Sequence, residues 1–188
     1  MRQVEGARAI PREGQKTDEP TKAYIAGFLD GDGSIMFQLV PRKGYVFGYQ
    51  IRASVCFYQN TFHKEGLLWL KDRLGAGYIR DRAGNVSDLT IVGCDEVARI
   101  LSLVEHYVVF KKKHVVAARE ILAVLKKKLS PSEFLQAAKM VDEFATLNYS
   151  KKKVNNAECV RRFMDSKGIL APVTTSPNGE MVVTVKGY

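Results

Sequence analysis

Few features of the 188-residue sequence point to a membrane, a secretory route or a zinc centre. No apolar run approaches the roughly 20 residues that a membrane-spanning helix needs, and residues 1–17 contain no apolar signal segment. The odd number of cysteines predicts reduced thiols and hence an intracellular protein. The scattered residues, which lack the paired spacing of zinc sites, are Cys56, Cys94, Cys159, His63, His106 and His114.

Negative charge is also scarce, because 29 lysines and arginines stand against 20 acidic residues and give a formal net charge of +9. A basic balance of this size favours a polyanionic partner, either a nucleic acid or an anionic membrane surface. The sequence shows no basic amphipathic helix with an aromatic face, which a membrane-surface protein would need. Lysine clusters at 111–113, 126–128 and 151–153 are predicted to neutralise phosphates or to form solvated faces.

The chain is organised around residues 23–34, an almost wholly apolar run that ends in Asp-Gly-Asp-Gly-Ser. Bulky and small apolar residues are mixed on all sides of this run, so the pattern predicts a buried helix. The helix should begin near Pro20 and Thr21 and break in a tight turn at residues 30–33. Two carboxylates there oppose the helix dipole, which favours a bound cation or an acidic network at the tip.

Residues 30–33 have two simpler interpretations, of which one stays open and the other is excluded. An ordinary buried helix followed by an Asp-Gly turn stays open. A calcium loop of the EF-hand type is excluded, because its required glycine falls on Ile35 and its bidentate glutamate falls on Pro41.

From Ser34 onward the apolar period changes from that of a helix to that of a strand. Alternation predicts one hairpin over residues 34–58, with a turn at 41–44 and its second strand starting at Tyr45. A helix from Asn60 or Thr61 to about Leu74 and a second hairpin over 78–92 follow. Helix, hairpin, helix, hairpin and helix make an α+β fold with one sheet and helices on one side.

The remaining segments are predicted to be mainly helical. Helices are expected over 94–104, over 107–128, after a capping box opened by Ser130, and over 154–164. Asn178 and Gly179 lie between two β-branched runs and predict a terminal hairpin. We expect an arm at 1–19, a core at 20–148 and an extension at 149–188.

The outward face of the two hairpins is polar and continuous across four predicted strands. It is rich in Gln and Arg, the side chains that make bidentate contacts to adenine and guanine edges. Solubility alone could explain such a face, but the lysine and glutamate mixture of a merely soluble surface is missing. The predicted DNA-contacting residues are Ser34, Gln38, Arg42, Tyr45, Gln50, Arg52, Ser54, Tyr58, Arg80, Arg82, Asp88, Thr90 and Lys113.

Residues 25–33, Ile-Ala-Gly-Phe-Leu-Asp-Gly-Asp-Gly, resemble the motif of the LAGLIDADG homing endonucleases. The resemblance covers about residues 20–148. It implies an αββαββα core with a saddle-shaped four-stranded antiparallel sheet, helices on one side and C-terminal helices. Because the motif occurs once, it also implies a homodimer docked through the motif helices. The interface residues that it implies are Tyr24, Ala26, Gly27 and Asp30.

Phosphodiester cleavage is commonly supported by divalent metals held by carboxylates, and one carboxylate is a poor metal site. Two chains related by a two-fold axis would bring two copies of Asp32 together. The resemblance implies that Asp32 and the carbonyl of Gly31 bind Mg²⁺ or Mn²⁺, and that Gln59 positions solvent. It also assigns the lysine near the scissile phosphate to Lys111, with Lys113 as second choice.

The simplest alternatives to these roles are that Gln59 is a polar residue at a strand end and that Lys111 is a surface lysine. Where many relatives carry arginine after the second strand, this chain has His63 and then Lys64. The resemblance leaves open which of them takes that place.

The function implied by the resemblance is that of an intron-encoded, site-specific DNA endonuclease. Such an enzyme cuts both strands across the minor groove of a nearly palindromic target and leaves short 3′ overhangs. The alternative is an RNA-splicing maturase, with intron RNA as a partner, or a DNA-binding regulator of the same fold. Retention of Asp30, Asp32 and Gln59 favours the nuclease.

Overall fold

The computed structural model describes residues 17–148 and 154–170, together with the backbone of residues 174–175 and 181–182. Its first helix, α1 (Glu19–Asp32), is capped by Asp18, whose side chain accepts a hydrogen bond from the Thr21 backbone N–H at 3.1 Å. Pro20 lies in the first turn, as predicted.

α1 ends within the predicted range 30–33, but the predicted tight turn is wrong, because the helix continues through Asp32. Gly33 follows with an extended φ of −108°. A Cβ on Gly33 would lie 2.7 Å from the Leu29 carbonyl oxygen, so glycine is needed where the next strand leaves the helix. The constraint is close packing of the backbone on Leu29 and not a left-handed turn.

Four strands form one antiparallel sheet in the order β1-β2-β4-β3. The strands are β1 (Gly33–Pro41), β2 (Tyr49–Asn60), β3 (Tyr78–Arg82) and β4 (Val86–Val92). The first hairpin has a longer loop than predicted, since β2 begins at Tyr49 and not at Tyr45. The loop is closed by a 2.9 Å bond from the Arg42 N–H to the Gly48 carbonyl, with Gly48 in a left-handed conformation.

Within the residues that the structure describes, five further helices follow α1: α2 (Lys64–Leu74), α3 (Cys94–Val104), α4 (Lys112–Leu125), α5 (Pro131–Leu147) and α6 (Ala157–Ser166). A short 3-10 turn (Thr61–His63), capped by Asn60, precedes α2. The capping box of α5 is formed by Ser130 and Glu133, as predicted. Helices α4 and α6 begin later than the predicted residues 107 and 154.

The core lies between one face of the sheet and the helices, which confirms the α+β architecture with the order αββαββα before the C-terminal helices. Large side chains from both layers are fully buried, among them Phe57, Ile35, Leu29, Leu67, Leu101 and Ile121. The opposite face of the sheet is therefore the one that is free of helices.

The end of the chain has a second, two-stranded antiparallel sheet, β5 (Thr174–Thr175) with β6 (Met181–Val182). This pairing agrees with the predicted terminal hairpin. The Asn178–Gly179 turn, the arm up to residue 16 and lysines 151–153 lie outside the described residues, and the domain boundaries stay predictions. Within the described residues, no helix is both long and apolar enough to cross a membrane.

Candidate catalytic end and nucleic-acid interface

The carboxylate of Asp30, near the end of α1, fixes the segment that leads into α4. It accepts hydrogen bonds from the backbone N–H groups of Val109 (2.6 Å), Phe110 (3.2 Å) and Lys111 (2.9 Å). The Lys111 ammonium in turn donates to the Asp30 carbonyl at 2.7 Å. These four bonds explain why α4 begins only at Lys112, and they place Lys111 beside the end of α1.

Gly31 and Asp32, by contrast, are exposed at the end of α1. The Asp32 carboxylate and the Gly31 carbonyl are hard oxygen donors, the kind that suits Mg²⁺, Mn²⁺ or Ca²⁺. Within the described residues, no group of three or more His, Cys, Asp or Glu residues is arranged to hold a metal ion. Asp32 and Gly31 therefore offer two oxygen donors at this point, fewer than the six or so that ions of this class take.

Gln59 lies at the same end of the sheet, because the β1–β2 register pairs Phe57 with Gly33. Its side chain accepts a 2.8 Å hydrogen bond from the Asn60 N–H and is half-buried. The bond joins two neighbouring residues and gives no evidence for a catalytic role of Gln59. The interpretation of Gln59 as a polar residue at a strand end therefore stays open.

The two basic residues after β2 have different surroundings. Lys64 donates to Asp81 at 2.8 Å and so ties α2 to β3. This contact, with the Ser87 hydroxyl bond, lowers the pKa of Asp81. The His63 side chain is 71% exposed and lies 3.8 Å from Glu65. His63 is thus the less engaged of the two.

The outer side of α1 is a stripe of small residues with one aromatic. Ala23, Tyr24, Gly27 and Gly31 are exposed, and a Cβ on Gly27 or Gly31 would meet nothing within 4 Å. The prediction that Ala26 lies in the dimer interface is wrong, because Ala26 is 0% exposed and packs into the core of its own subunit. A second molecule could therefore contact Tyr24 and Gly27 but not the Ala26 side chain.

The helix-free face of the sheet carries the predicted polar residues, but three of them are too buried to contact a duplex directly. Ser54, Asp88 and Thr90 are at most 4% exposed. Arg80 and Arg82 of β3 donate to Asp88, and Arg80 also donates to the Thr90 hydroxyl. The prediction that Ser54, Asp88 and Thr90 contact DNA directly is therefore wrong. These three residues lie beneath the exposed polar surface.

Asp88 is the centre of this buried layer. Its carboxylate accepts hydrogen bonds from Arg80 (3.1 Å), from Arg82 and from the Thr90 hydroxyl. Burial alone would raise the pKa of Asp88, but these three bonds hold it below its ordinary value. The carboxylate therefore stays ionised and holds two half-exposed guanidinium groups on the polar face.

The other polar residues of this face pair across β1 and β2. Arg52 donates to the Gln38 amide oxygen, and Arg42 donates to the Gln50 amide oxygen at 3.2 Å. Tyr45 is exposed in the hairpin loop. Ser34 is half-buried on β1, and Lys113 is exposed in the first turn of α4, which belongs to the helix layer.

The sequence interpretation missed Val109 and Phe110, which are 73% and 83% exposed beside the end of α1. The sequence marks them only as an apolar pair just before a lysine cluster. The predicted helix over residues 107–128 included both residues, so they were not recognised as exposed. It also missed the ion pair of Lys64 with Asp81, which joins residues 17 positions apart.

Comparison with known proteins gives one family and several related structures. The family model described as LAGLIDADG endonuclease matches residues 25–118. The DNA endonuclease I-CreI of Chlamydomonas reinhardtii is 36% identical over 144 residues, which cover 76% of this chain and 88% of that protein. The DNA endonuclease I-CvuI of Chlorella vulgaris is 31% identical over 151 residues, covering 80% and 94%.

Solved structures agree with this result. I-CvuI, in complex with its target and with calcium present, superposes with a TM-score of 0.75 at 31% identity over 79% of this chain and 95% of that one. The archaeal intron-encoded endonuclease I-Vdi141I, complexed with DNA, has a TM-score of 0.68 at 20% identity over 77% and 94%, a likeness of fold alone.

Proposed function

Because this chain belongs to the LAGLIDADG endonuclease family, we propose that it is a site-specific endonuclease that cuts both strands of duplex DNA. The observation that carries the proposal is the exposed Asp32 at the end of α1, at one end of an arginine-rich sheet face. It lies two residues after Asp30, whose carbonyl accepts the bond from Lys111. The relatives I-CreI and I-CvuI are DNA endonucleases, and I-CvuI was solved with its target.

The active form is proposed to be a homodimer. The exposed small residues of α1 allow the backbone of a second α1 to approach closely, and a second copy would supply the donors that one subunit lacks. A two-fold axis through the α1 helices brings the two Asp32 residues to the centre of the assembly. Such symmetry predicts a nearly palindromic target.

Asp32 and the Gly31 carbonyl of each subunit would hold divalent ions, with Mg²⁺ or Mn²⁺ as the proposed cofactors. A bound ion of this class supplies an activated water and neutralises charge on the phosphate. The chain's own residues position the DNA around that chemistry. The Lys111 ammonium, held at the Asp30 carbonyl, lies where it can neutralise a phosphate oxygen, and the Gln59 amide can orient a water.

The cleavage pattern follows from the same arrangement. Two copies of one sheet face, laid in the major groove on either side of the centre, leave the minor groove facing the α1 helices. We propose cleavage of both strands across that groove with short 3′ overhangs, and a role in the mobility of an intron.

The test is the Asp32→Asn variant compared with Asp72→Asn, which changes an exposed aspartate of α2. Sites cleaved by the wild type are first selected from a random duplex library with Mg²⁺ present. We expect Asp32→Asn to lose cleavage of the selected site while its affinity for that duplex stays within a few-fold, and Asp72→Asn to behave as wild type. Full cleavage by Asp32→Asn refutes the metal assignment. If the wild type binds library duplexes but the selection yields no cleaved site, a regulator is favoured instead.

A further inference from the structure

The polar face of the sheet is divided by strand register into blocks of different chemistry. Successive cross-strand rows follow one another from the loop of the first hairpin toward the end of α1. We name three groups of these residues. They are the outer block (Arg42, Gln50, Gln38, Arg52), the middle row (Met36, Ser54, Val92) and the inner block (Tyr58, Tyr78, Arg80, Arg82, Asp88), with Ser34, Cys56 and Thr90 between the last two.

Each arginine of the two blocks is anchored to a neighbouring acceptor. In the outer block the acceptors are the Gln50 and Gln38 amide oxygens. In the inner block both arginines donate to Asp88, and Arg80 also donates to the Thr90 hydroxyl at 3.4 Å. An arginine that is already oriented loses less conformational entropy when it binds. Both blocks therefore present guanidinium groups that are oriented before DNA arrives.

Two of these anchors use the guanidinium atom Nε. Arg42 donates through Nε to Gln50, and Arg82 donates through Nε to Asp88. A bond at Nε leaves the Nη1–Nη2 edge, whose two parallel N–H donors match O6 and N7 of guanine. Arg42 and Arg82 are thus chemically suited to guanine, one in each block.

Aromatic rings orient the inner guanidinium groups further. The Arg80 guanidinium carbon lies 5.2 Å from the Tyr78 ring centroid, and that of Arg82 lies 5.5 Å from the Tyr58 ring centroid. Burial raises the pKa of Tyr58 to about 12, so its phenol stays neutral near pH 7. The inner block is consequently held by both charge and ring contacts, whereas the outer block is held by amides.

The middle row differs from both blocks because it has no charged side chain. Met36 is half-buried and Val92 is 39% exposed, with the Ser54 hydroxyl buried between them. Apolar side chains in the major groove contact the methyl group of thymine.

The distance between blocks sets their spacing on DNA. Arg42 lies level with Gly48, just before β2, and Arg82 lies level with Val86 and Asn60. From Gly48 to Asn60 the chain spans about 40 Å at the rise of a strand. That length corresponds to about twelve base pairs at 3.4 Å each.

We propose, as a refinement that rests on the proposed function, that each half of the target carries guanine in two places about twelve base pairs apart, with thymine between them. Arg82 reads the guanine nearer the cleavage centre and Arg42 reads the outer one. Asp88, Gln38 and Gln50 are positioning residues that orient the arginines.

The experiment is selection of bound duplexes from a random library with EDTA present, so that the bound DNA stays intact. The wild type, Arg82→Ala and Arg42→Ala are compared with Arg119→Ala, which changes an arginine of α4 in the helix layer. Arg82→Lys serves as a second inner variant that keeps the charge. We expect guanine preference to fall roughly ten- to a hundred-fold at the inner place for both Arg82 variants, and at the outer place for Arg42→Ala.

Asp88→Asn tests positioning separately from folding. If Asp88 orients the inner arginines, its variant loses guanine preference at the inner place and keeps it at the outer one. A residue with only a structural role would weaken binding to every sequence alike, and that result overturns the positioning assignment.

The outcomes separate this inference from the proposed function. If the wild type enriches a duplex but shows no paired guanines at this spacing, or if Arg82→Ala leaves the profile unchanged, the inference fails and the endonuclease proposal stands. If the wild type enriches no duplex at all, both fail together. Arg119→Ala should match the wild type in every case.

Discussion

The end of α1 and the polar face of the sheet are each built around a carboxylate, and the two carboxylates use their oxygens differently. Asp30 accepts bonds from three backbone N–H groups, so it fixes a segment of chain. Asp88 accepts from two arginine side chains, so it fixes groups that can contact a partner. Asp32, only two residues from Asp30, is exposed. An engaged carboxylate orders its surroundings, whereas an exposed one is free for chemistry.

The largest effect on stability is expected from Asp30. We predict that Asp30→Ala lowers the free energy of unfolding by about 2–4 kcal/mol, because three N–H groups lose a charged acceptor. Cleavage should fall as well, since Lys111 is no longer held beside α1. Urea denaturation and plasmid cleavage measure the two effects.

Asp32→Ala is the matched control, and its unfolding midpoint should stay close to that of the wild type. If Asp30→Ala and Asp32→Ala have the same unfolding midpoint in urea, the proposed difference between the two aspartates is refuted. Equal loss in both would mean that Asp32 also carries structural bonds.

A smaller, pH-dependent effect is expected from Asp88. Its folded-state pKa lies below the ordinary value near 3.8, so it contributes stability above that pH and loses it as the pH falls through the folded pKa. Asp88→Asn should lose about 2 kcal/mol at pH 7, since a half-exposed ion pair is partly screened.

Urea denaturation from pH 5 down to pH 2.5 checks this prediction. The difference between wild type and Asp88→Asn should narrow as the solution becomes more acidic. A difference that stays constant over this range would show that the carboxylate charge is not what Asp88 contributes.

Local signals explain what the sequence predicted well. The Ser130 and Glu133 capping box, the second hairpin over residues 78–92 and the start of α3 after Gly93 depend on neighbours in the chain, and all were predicted at their observed places. The polar face of the hairpins was also predicted, because a strand alternates with period two.

Features that depend on distant contacts were not predictable. Asp30 bonds to residues about 80 positions away, so nothing near it in the sequence indicated that α4 would begin at Lys112. Ala26 lies in a helix that is apolar all round, and such a helix gives no period from which to tell its inner side from its outer side. Asp88 was placed on the correct face, but the arginines that bury it come from β3.

The central claim is that two subunits meet across one duplex to complete a centre that neither holds alone. Sedimentation velocity of the Asp32→Asn variant with its selected duplex, in excess protein, measures the stoichiometry directly. We predict a complex with the mass of two subunits and one duplex. A stable complex of one subunit per duplex, on a site that the wild-type protein cleaves in both strands, would contradict the account.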